Sequence, residues 1–159
     1  LKLRLKEEGI LPAIAVGLND FAGTGLYSSE YIVGSYGINN LDMHFGLGWG
    51  AMNSLKYGIE NPLGYLSDRF YDRPIRLGGD QGGSFQPDQY FSGQKASPFF
   101  GMSYSLNKKI LIKIERDTIA QDFFIKYKKP SSEYSFGIDY SISENFSIGY
   151  SHERGAYSS

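Results

Sequence analysis

The sequence contains no cysteine, which excludes a disulfide framework and any thiolate metal site. The sequence also has no excess of positive or negative charge, since it contains 16 Lys and Arg and 17 Asp and Glu. Its composition therefore gives no sign of a nucleic-acid-binding surface. The two histidines, His44 and His152, do not form a ligand-spaced cluster. Serine is plentiful, but no motif supports a Ser–His hydrolase. We therefore expect a noncatalytic protein with no metal, no cofactor and no nucleic-acid partner.

Long apolar runs are missing as well. No segment approaches the ~18 residues that a transmembrane helix needs, and no signal peptide is present. The chain opens inside a strand-like alternation at residues 1–6, which predicts an internal portion of a longer protein whose targeting segment lies upstream. A membrane location remains open, because barrel strands alternate lipid-facing with lumen-facing residues and so average their hydropathy away.

Glycine and aromatic residues are abundant, with 20 Gly, 13 Tyr and 11 Phe. This composition is unlike that of a soluble helical protein or a disordered chain. Apolar and polar residues alternate most clearly over 41–49 and 134–142, as they do when successive side chains point to opposite faces of a strand. The pattern predicts eight strands, near residues 1–8, 12–20, 26–37, 41–50, 97–106, 110–117, 133–142 and 146–155.

The connections between these strands alternate in length. Matching the apolar faces of neighbouring strands predicts three hairpins with three-residue loops at 38–40, 107–109 and 143–145. Residues 51–94 and 118–132 form long loops. Short periplasmic turns and long extracellular loops are typical of outer-membrane barrels. We therefore predict an all-β fold, an antiparallel up-and-down transmembrane β-barrel region over 1–159, alone or within a larger barrel. Strands of nine or ten residues favour this over a soluble β-sandwich.

The barrel interpretation gives several residues a position relative to the membrane. Aromatic side chains at the outer strand ends are predicted to form an interfacial girdle; these are Tyr27, Trp49, Phe100 and Tyr134. Polar side chains on the opposite face are predicted to line the lumen; these include Glu30, Asp42, His44, Lys113, Glu115 and Asp139. The lumen could be a wet path for a glycan, or Lys113 and Glu115 could belong to a purely structural charge network.

The long loop 51–94 concentrates aromatic and charged residues, which are the groups that stack on sugar rings and hydrogen-bond their hydroxyls. The candidate glycan contacts are Asp68, Arg69, Phe70, Tyr71, Arg73 and Tyr90. An equally weighted alternative is a loop that packs on itself through Asp–Arg pairs. We expect this loop to handle polysaccharide rather than to hold the barrel together, so that a Gly/Ser linker in place of 55–90 would preserve folding.

Several segments resemble the YjbH-type exopolysaccharide proteins of Gram-negative bacteria. The similar blocks are Leu5–Asp20, Gly23–Val33, Phe45–Gly50, Asn61–Leu63 with Leu66–Phe70, Tyr90–Gly93, Pro98–Gly101 and Glu153–Gly155. These blocks run in family order from end to end, so the resemblance extends over nearly the whole chain. Family members are several times longer and usually begin as secreted lipoproteins.

The resemblance implies a noncatalytic component of the bacterial outer membrane that assists production or export of an exopolysaccharide or capsule. Its expected partners are outer-membrane lipid, extracellular polysaccharide and other polysaccharide-export proteins. Two other functions stay open from the sequence: a general porin or structural barrel, and a soluble β-sandwich binding module. Detergent requirement, channel conductance and glycan binding distinguish these three.

Overall fold

A computed structural model describes residues 1–22, 27–53, 58–74, 85, 87–118, 130–155 and 157–159. Within these residues the chain forms ten strands and three short 3₁₀ helices. The strands are β1 Lys2–Lys6, β2 Ala13–Asn19, β3 Ser29–Ile38, β4 Leu41–Gly50, β5 Ile59–Glu60, β6 Lys95–Ser105, β7 Ile110–Arg116, β8 Tyr134–Ser143, β9 Phe146–Glu153 and β10 Tyr157–Ser158. The 3₁₀ helices are Pro62–Tyr65, Asp68–Tyr71 and Pro87–Gln89.

All eight predicted strands are present, with ends displaced by a few residues. The two additional strands, β5 and β10, contain two residues each. A strand of two residues is too short to show alternating apolar and polar residues, so the sequence pattern could not predict these two strands. Most of the predicted loop 118–132 lies outside the described part of the chain.

The sheet has the strand order β1-β2-β3-β4-β6-β7-β8-β9-β10, and β5 pairs with β6. Every pairing for which a register is given is antiparallel. The order starts at β1 and ends at β10, so over the described strands the sheet is open and does not show the closure predicted for a barrel. None of the described helices is long and apolar enough to cross a membrane.

The chain divides into two compact units, of which the first comprises the described residues of Leu1–Gly34, Gly46–Pro98 and Thr118–Ala120. Its side chains include the most deeply buried ones of the described chain, among them Trp49, Glu30 and Asn61. The described parts of 51–94 are not a plain loop, since they hold β5 and all three 3₁₀ helices. The segment is therefore a folded part of this unit.

The second unit comprises the described residues of Ser35–Phe45, Phe99–Asp117 and Gln121–Ser159. Two predicted hairpin registers are confirmed there: Tyr104 pairs with Ile112 and Met102 with Ile114, and Ile138 pairs with Tyr150. The β8–β9 turn is tighter than predicted. A bulge between Ser141 and Ser143 lets Ser143 pair with Phe146 and leaves a two-residue turn at 144–145.

Asparagines serve two of the hairpin turns in different ways. Asn39, between β3 and β4, has a φ of 53° and so supplies a left-handed residue, a conformation that asparagine tolerates. Asn107 uses its side chain instead: its Oδ1 accepts hydrogen bonds from the backbone N–H groups of Lys109 (2.8 Å) and Ile110 (3.0 Å). The register between β3 and β4 remains a prediction.

Candidate functional site

Asn61 connects the described residues of 58–94 in the first unit, which are 58–74, 85 and 87–94. Its side chain is fully buried. Its Nδ2 donates to the carbonyl oxygens of Phe70 (2.9 Å), Phe91 (3.0 Å) and Gly93 (2.9 Å). Its Oδ1 accepts from the Trp49 indole Nε1 at 3.0 Å. One amide thus ties the strand end at β4 to three separate points of the segment, and it leaves no buried polar atom of its own unsatisfied.

A second buried connection joins Arg73 to Glu30 on β3. The two side chains form a bidentate pair, with Nη1 2.7 Å from Oε2 and Nη2 3.0 Å from Oε1. The Glu30 carboxylate also accepts from the backbone N–H of Phe91 at 3.0 Å. Side-chain exposure is 19% for Arg73 and zero for Glu30. Such geometry satisfies both charges inside the protein.

These two connections correct three predictions. Arg73 is committed to Glu30 and to carbonyl oxygens of its own segment, so it does not offer its guanidinium to a glycan. Glu30 is buried under the segment and does not line an open polar surface. Trp49 is 1% exposed and packs edge-on against Phe91, whereas a girdle residue must face lipid. The ion pair of Arg73 joins the segment to β3, whereas the alternative predicted from sequence had the loop pack on itself through Asp–Arg pairs.

Tyr90 belongs to a surface aromatic cluster. Its ring stacks on Phe21 with a centroid distance of 6.0 Å, and the Phe85 ring lies 5.4 Å from Phe21. Burial raises the pKa of the Tyr90 phenol above its usual value of 10.0. The cluster brings the 20–22 turn to the 85–90 segment, two regions that nothing in the linear sequence connects.

Tyr71 lies beside a carboxylate that the sequence did not single out. Its hydroxyl donates to Glu60 Oε1 at 2.9 Å, and the Tyr65 hydroxyl lies 3.5 Å from Oε2. The hydrogen bond to Glu60 raises the pKa of Tyr71 above its usual value of 10.0. Among the other candidates, Asp68 and Arg69 are exposed, and Phe70 is half-buried with its carbonyl held by Asn61.

The sheet of the second unit has one apolar and exposed face. Residues paired directly across β6 to β9 share a face. They form rows such as Met102–Ile114–Phe136 and Tyr104–Ile112–Ile138–Tyr150. Their exposure ranges from 38% to 52%. Exposed apolar patches of this kind commonly mark contact sites for proteins or membranes.

The neighbouring row, Phe100–Arg116–Tyr134, ends the apolar face. Its two aromatic rings lie 6.2 Å apart, and Arg116 forms a 2.7 Å ion pair with Glu133. Phe100 and Tyr134 are therefore close together at one end of the apolar face, and their role in a girdle remains a prediction. Tyr27 is 49% exposed in the first unit.

The opposite face of the same strands is polar. Lys113 and Asp139 form a 2.7 Å ion pair, with side-chain exposures of 54% and 41%. This replaces the predicted Lys113–Glu115 association, although Glu115 lies on the same face. Lys113, Gly137, Asp139, Gly149 and Ser151 are among the residues that line a cleft of about 270 Å³. Asp42 and His44 are exposed on β4, and the His44 imidazole fills the space above Gly101, which has no Cβ.

Sequence reasoning missed Asn61 and Glu60 as site residues. Asn61 had a usable signal, because Asn directly before Pro is a common start for a helical turn, and its side chain does cap Pro62–Tyr65. Glu60 had none, since its role depends on two tyrosines that reach it from the following 3₁₀ helices. No group of three or more metal-binding side chains occurs in the part of the chain that the structure describes.

Comparison with known proteins gives two matches. The profile of the YjbH family, described as "Exopolysaccharide biosynthesis protein YbjH", matches residues 1–158. The "Uncharacterized lipoprotein YjbH" of Escherichia coli (strain K12) is 35% identical over 159 residues, which is 98% of this chain and 22% of that protein. The chain thus spans about a fifth of the length of the relative it matches. No solved structure matches.

Proposed function

The chain belongs to the YjbH family of exopolysaccharide biosynthesis proteins, and from this premise we propose that it is part of a noncatalytic outer-membrane β-barrel that assists exopolysaccharide or capsule production or export. The observation that carries the membrane part of the proposal is the exposed apolar face of β6–β9. On β8 this face runs from Phe136 to Ile142, about 20 Å along a strand. Outer-membrane barrels present an apolar band about 25 Å tall.

The two ends of this face support the same location. The aromatic pair Phe100 and Tyr134 flanks Arg116 at one end, and aromatic rings together with arginine are favoured at a membrane interface. The opposite face, with its Lys113–Asp139 pair, suits a wet lumen. Closure of the sheet into a barrel then requires further strands, and a protein of the relative's length has enough additional residues to supply them.

Fractionation and complementation of a deletion strain test this function. We expect the intact protein in the outer-membrane fraction, with electrophoretic mobility that changes on heating as folded barrels do. Deletion of the gene should lower secreted polysaccharide, and the wild-type gene should restore it. Recovery in the soluble fraction, or unchanged polysaccharide output, would contradict the proposal. Single-channel conductance in planar bilayers, without any effect on polysaccharide, would instead support a general porin.

A further inference from the structure

A carboxylate flanked by two tyrosines lies on the surface of the first unit. The Tyr71 hydroxyl donates to Glu60 at 2.9 Å, and the Tyr65 hydroxyl reaches the other carboxylate oxygen at 3.5 Å. Tyr65 is 78% exposed, and the neighbouring Leu66 is 77% exposed. The Tyr65 ring therefore buries little area and contributes little to folding. Its conspicuous features are an accessible aromatic face and a hydroxyl aimed at a carboxylate.

The rest of this cluster is held in place by the fold. Glu60 belongs to β5, whose backbone pairs with Lys95 on β6. The Tyr71 ring lies directly over Gly64, where any Cβ would overlap it. The Asn61 side chain caps Pro62–Tyr65 and also binds the carbonyl oxygen of Phe70. Glu60 and Tyr71 thus keep their geometry without a ligand, as a preorganised site requires.

The chemistry of these three groups matches a saccharide. Aromatic rings present an apolar face on which the C–H surface of a pyranose can stack. The ionised carboxylate accepts hydrogen bonds from sugar hydroxyls, and such charge-assisted bonds are stronger than neutral ones. Phenol hydroxyls can donate and accept. The negative charges of Glu60 and Asp68 both act on the Tyr71 phenol, and they disfavour an acidic sugar at this cluster.

We propose that Glu60, Tyr65 and Tyr71 form a binding subsite for neutral, hydroxyl-rich saccharide units. The inference rests on the proposed function and names the class of glycan that the protein contacts. Of the contacts predicted from sequence, the subsite keeps Tyr71. It adds Glu60 and Tyr65, and it excludes the buried Arg73.

Binding of defined oligosaccharides to the intact folded protein in detergent tests the subsite. The probes are cellohexaose and maltohexaose as neutral saccharides and hexagalacturonate as the acidic one, measured by calorimetry and saturation-transfer NMR. We expect at least one neutral probe to bind more tightly than the uronate. Tyr65→Ala should weaken that binding about two- to tenfold through lost stacking. Glu60→Gln should weaken it about threefold.

Two variants serve as controls. Tyr65→Phe keeps the ring and should retain most of the affinity, and Leu66→Ala changes an equally exposed neighbour and should leave binding unchanged. Unchanged binding in both Tyr65→Ala and Glu60→Gln, tighter binding of the uronate, or no binding of any probe would overturn the subsite. The proposed function is tested separately. Recovery of the protein in the soluble fraction, or unchanged polysaccharide output in the deletion strain, would contradict it. A wild-type protein that restores polysaccharide output but binds none of the saccharide probes would refute the subsite alone.

Discussion

At the scale of single residues, the Glu30–Arg73 pair is sensitive to the loss of either partner, because Glu30 is fully buried. Glu30 has no exposed side-chain surface, so removing its partner leaves an uncompensated buried charge. We predict that Arg73→Met destabilises the folded protein by about 3–5 kcal/mol, measured by urea unfolding in detergent. Arg69→Met, an exposed arginine in the same segment, should change stability by about 0.5 kcal/mol or less.

The double variant Glu30→Gln with Arg73→Met removes both charges, and it should recover much of the stability that Arg73→Met loses. If Arg73→Met and Arg69→Met have the same small effect, the pair is not a structural anchor. Arg73 would then again be available as a glycan contact.

Asn61 offers a spectroscopic test, because it holds the indole of Trp49, the protein's single tryptophan. We predict that Asn61→Ala costs about 2 kcal/mol or more, since it strands a buried indole N–H and several carbonyl oxygens. Tryptophan emission should shift to longer wavelength and become more accessible to acrylamide. Ser67→Ala removes only a cap of a neighbouring 3₁₀ helix and should leave the emission unchanged. A blue, protected emission in Asn61→Ala would contradict the described contact.

The Tyr71 phenol provides a pH-dependent test. Its pKa is raised by the hydrogen bond to Glu60, so the bond contributes to stability at neutral pH and is lost as pH rises through this raised pKa. Subtracting the absorbance titration of Tyr71→Phe at 295 nm isolates the Tyr71 phenol. We expect Glu60→Gln to lower its pKa toward the usual 10.0. An unchanged titration would show that the hydrogen bond does not form in solution.

At the scale of structural elements, the sequence predicted the strand positions and two hairpin registers, because a period of two and matched apolar faces constrain both strongly. The sequence did not predict the bulge after Ser141, since a bulge adds one residue without changing the apolar pattern around it. The described parts of 51–94 were predicted as plain loop for a related reason. Their contacts are long-range, such as Asn61 to Gly93, and these leave no local periodicity in the sequence.

The same segment yields a revised prediction for loop shortening. Replacing 55–90 with a Gly/Ser linker removes Asn61 and Arg73, and it leaves Trp49 and Glu30 without their partners. We now expect this replacement to abolish or strongly destabilise folding, contrary to the expectation from sequence alone. Heat-modifiable electrophoretic mobility and protease resistance would measure whether the shortened protein folds. A shortened protein with normal mobility would show that the segment is dispensable for the fold.

At the scale of the whole molecule, sequence predicted an all-β antiparallel protein of the exopolysaccharide family, and both conclusions hold. The girdle prediction failed at Trp49 because alternation assigns a face to a residue but cannot tell whether lipid or another segment covers it. Phe100 and Tyr134 lie close together in one row of the sheet, and their place in a girdle stays a prediction. The candidate site was predicted only in part for a similar reason. Tyr71 could be predicted because it is an aromatic residue in a long loop, whereas the role of Glu60 follows from tyrosines that only the fold brings to it.

The central claim, that the apolar face of β6–β9 contacts lipid, is tested most directly by placing one arginine on each face of β8. Ile138 lies on the apolar face, and Ser141 lies on the polar face opposite Ser147. We predict that Ile138→Arg impairs folding of the intact protein into lipid vesicles by about 2–4 kcal/mol, while Ser141→Arg has a much smaller effect. Equal effects of the two substitutions, or folding of Ile138→Arg at the wild-type level, would contradict the account.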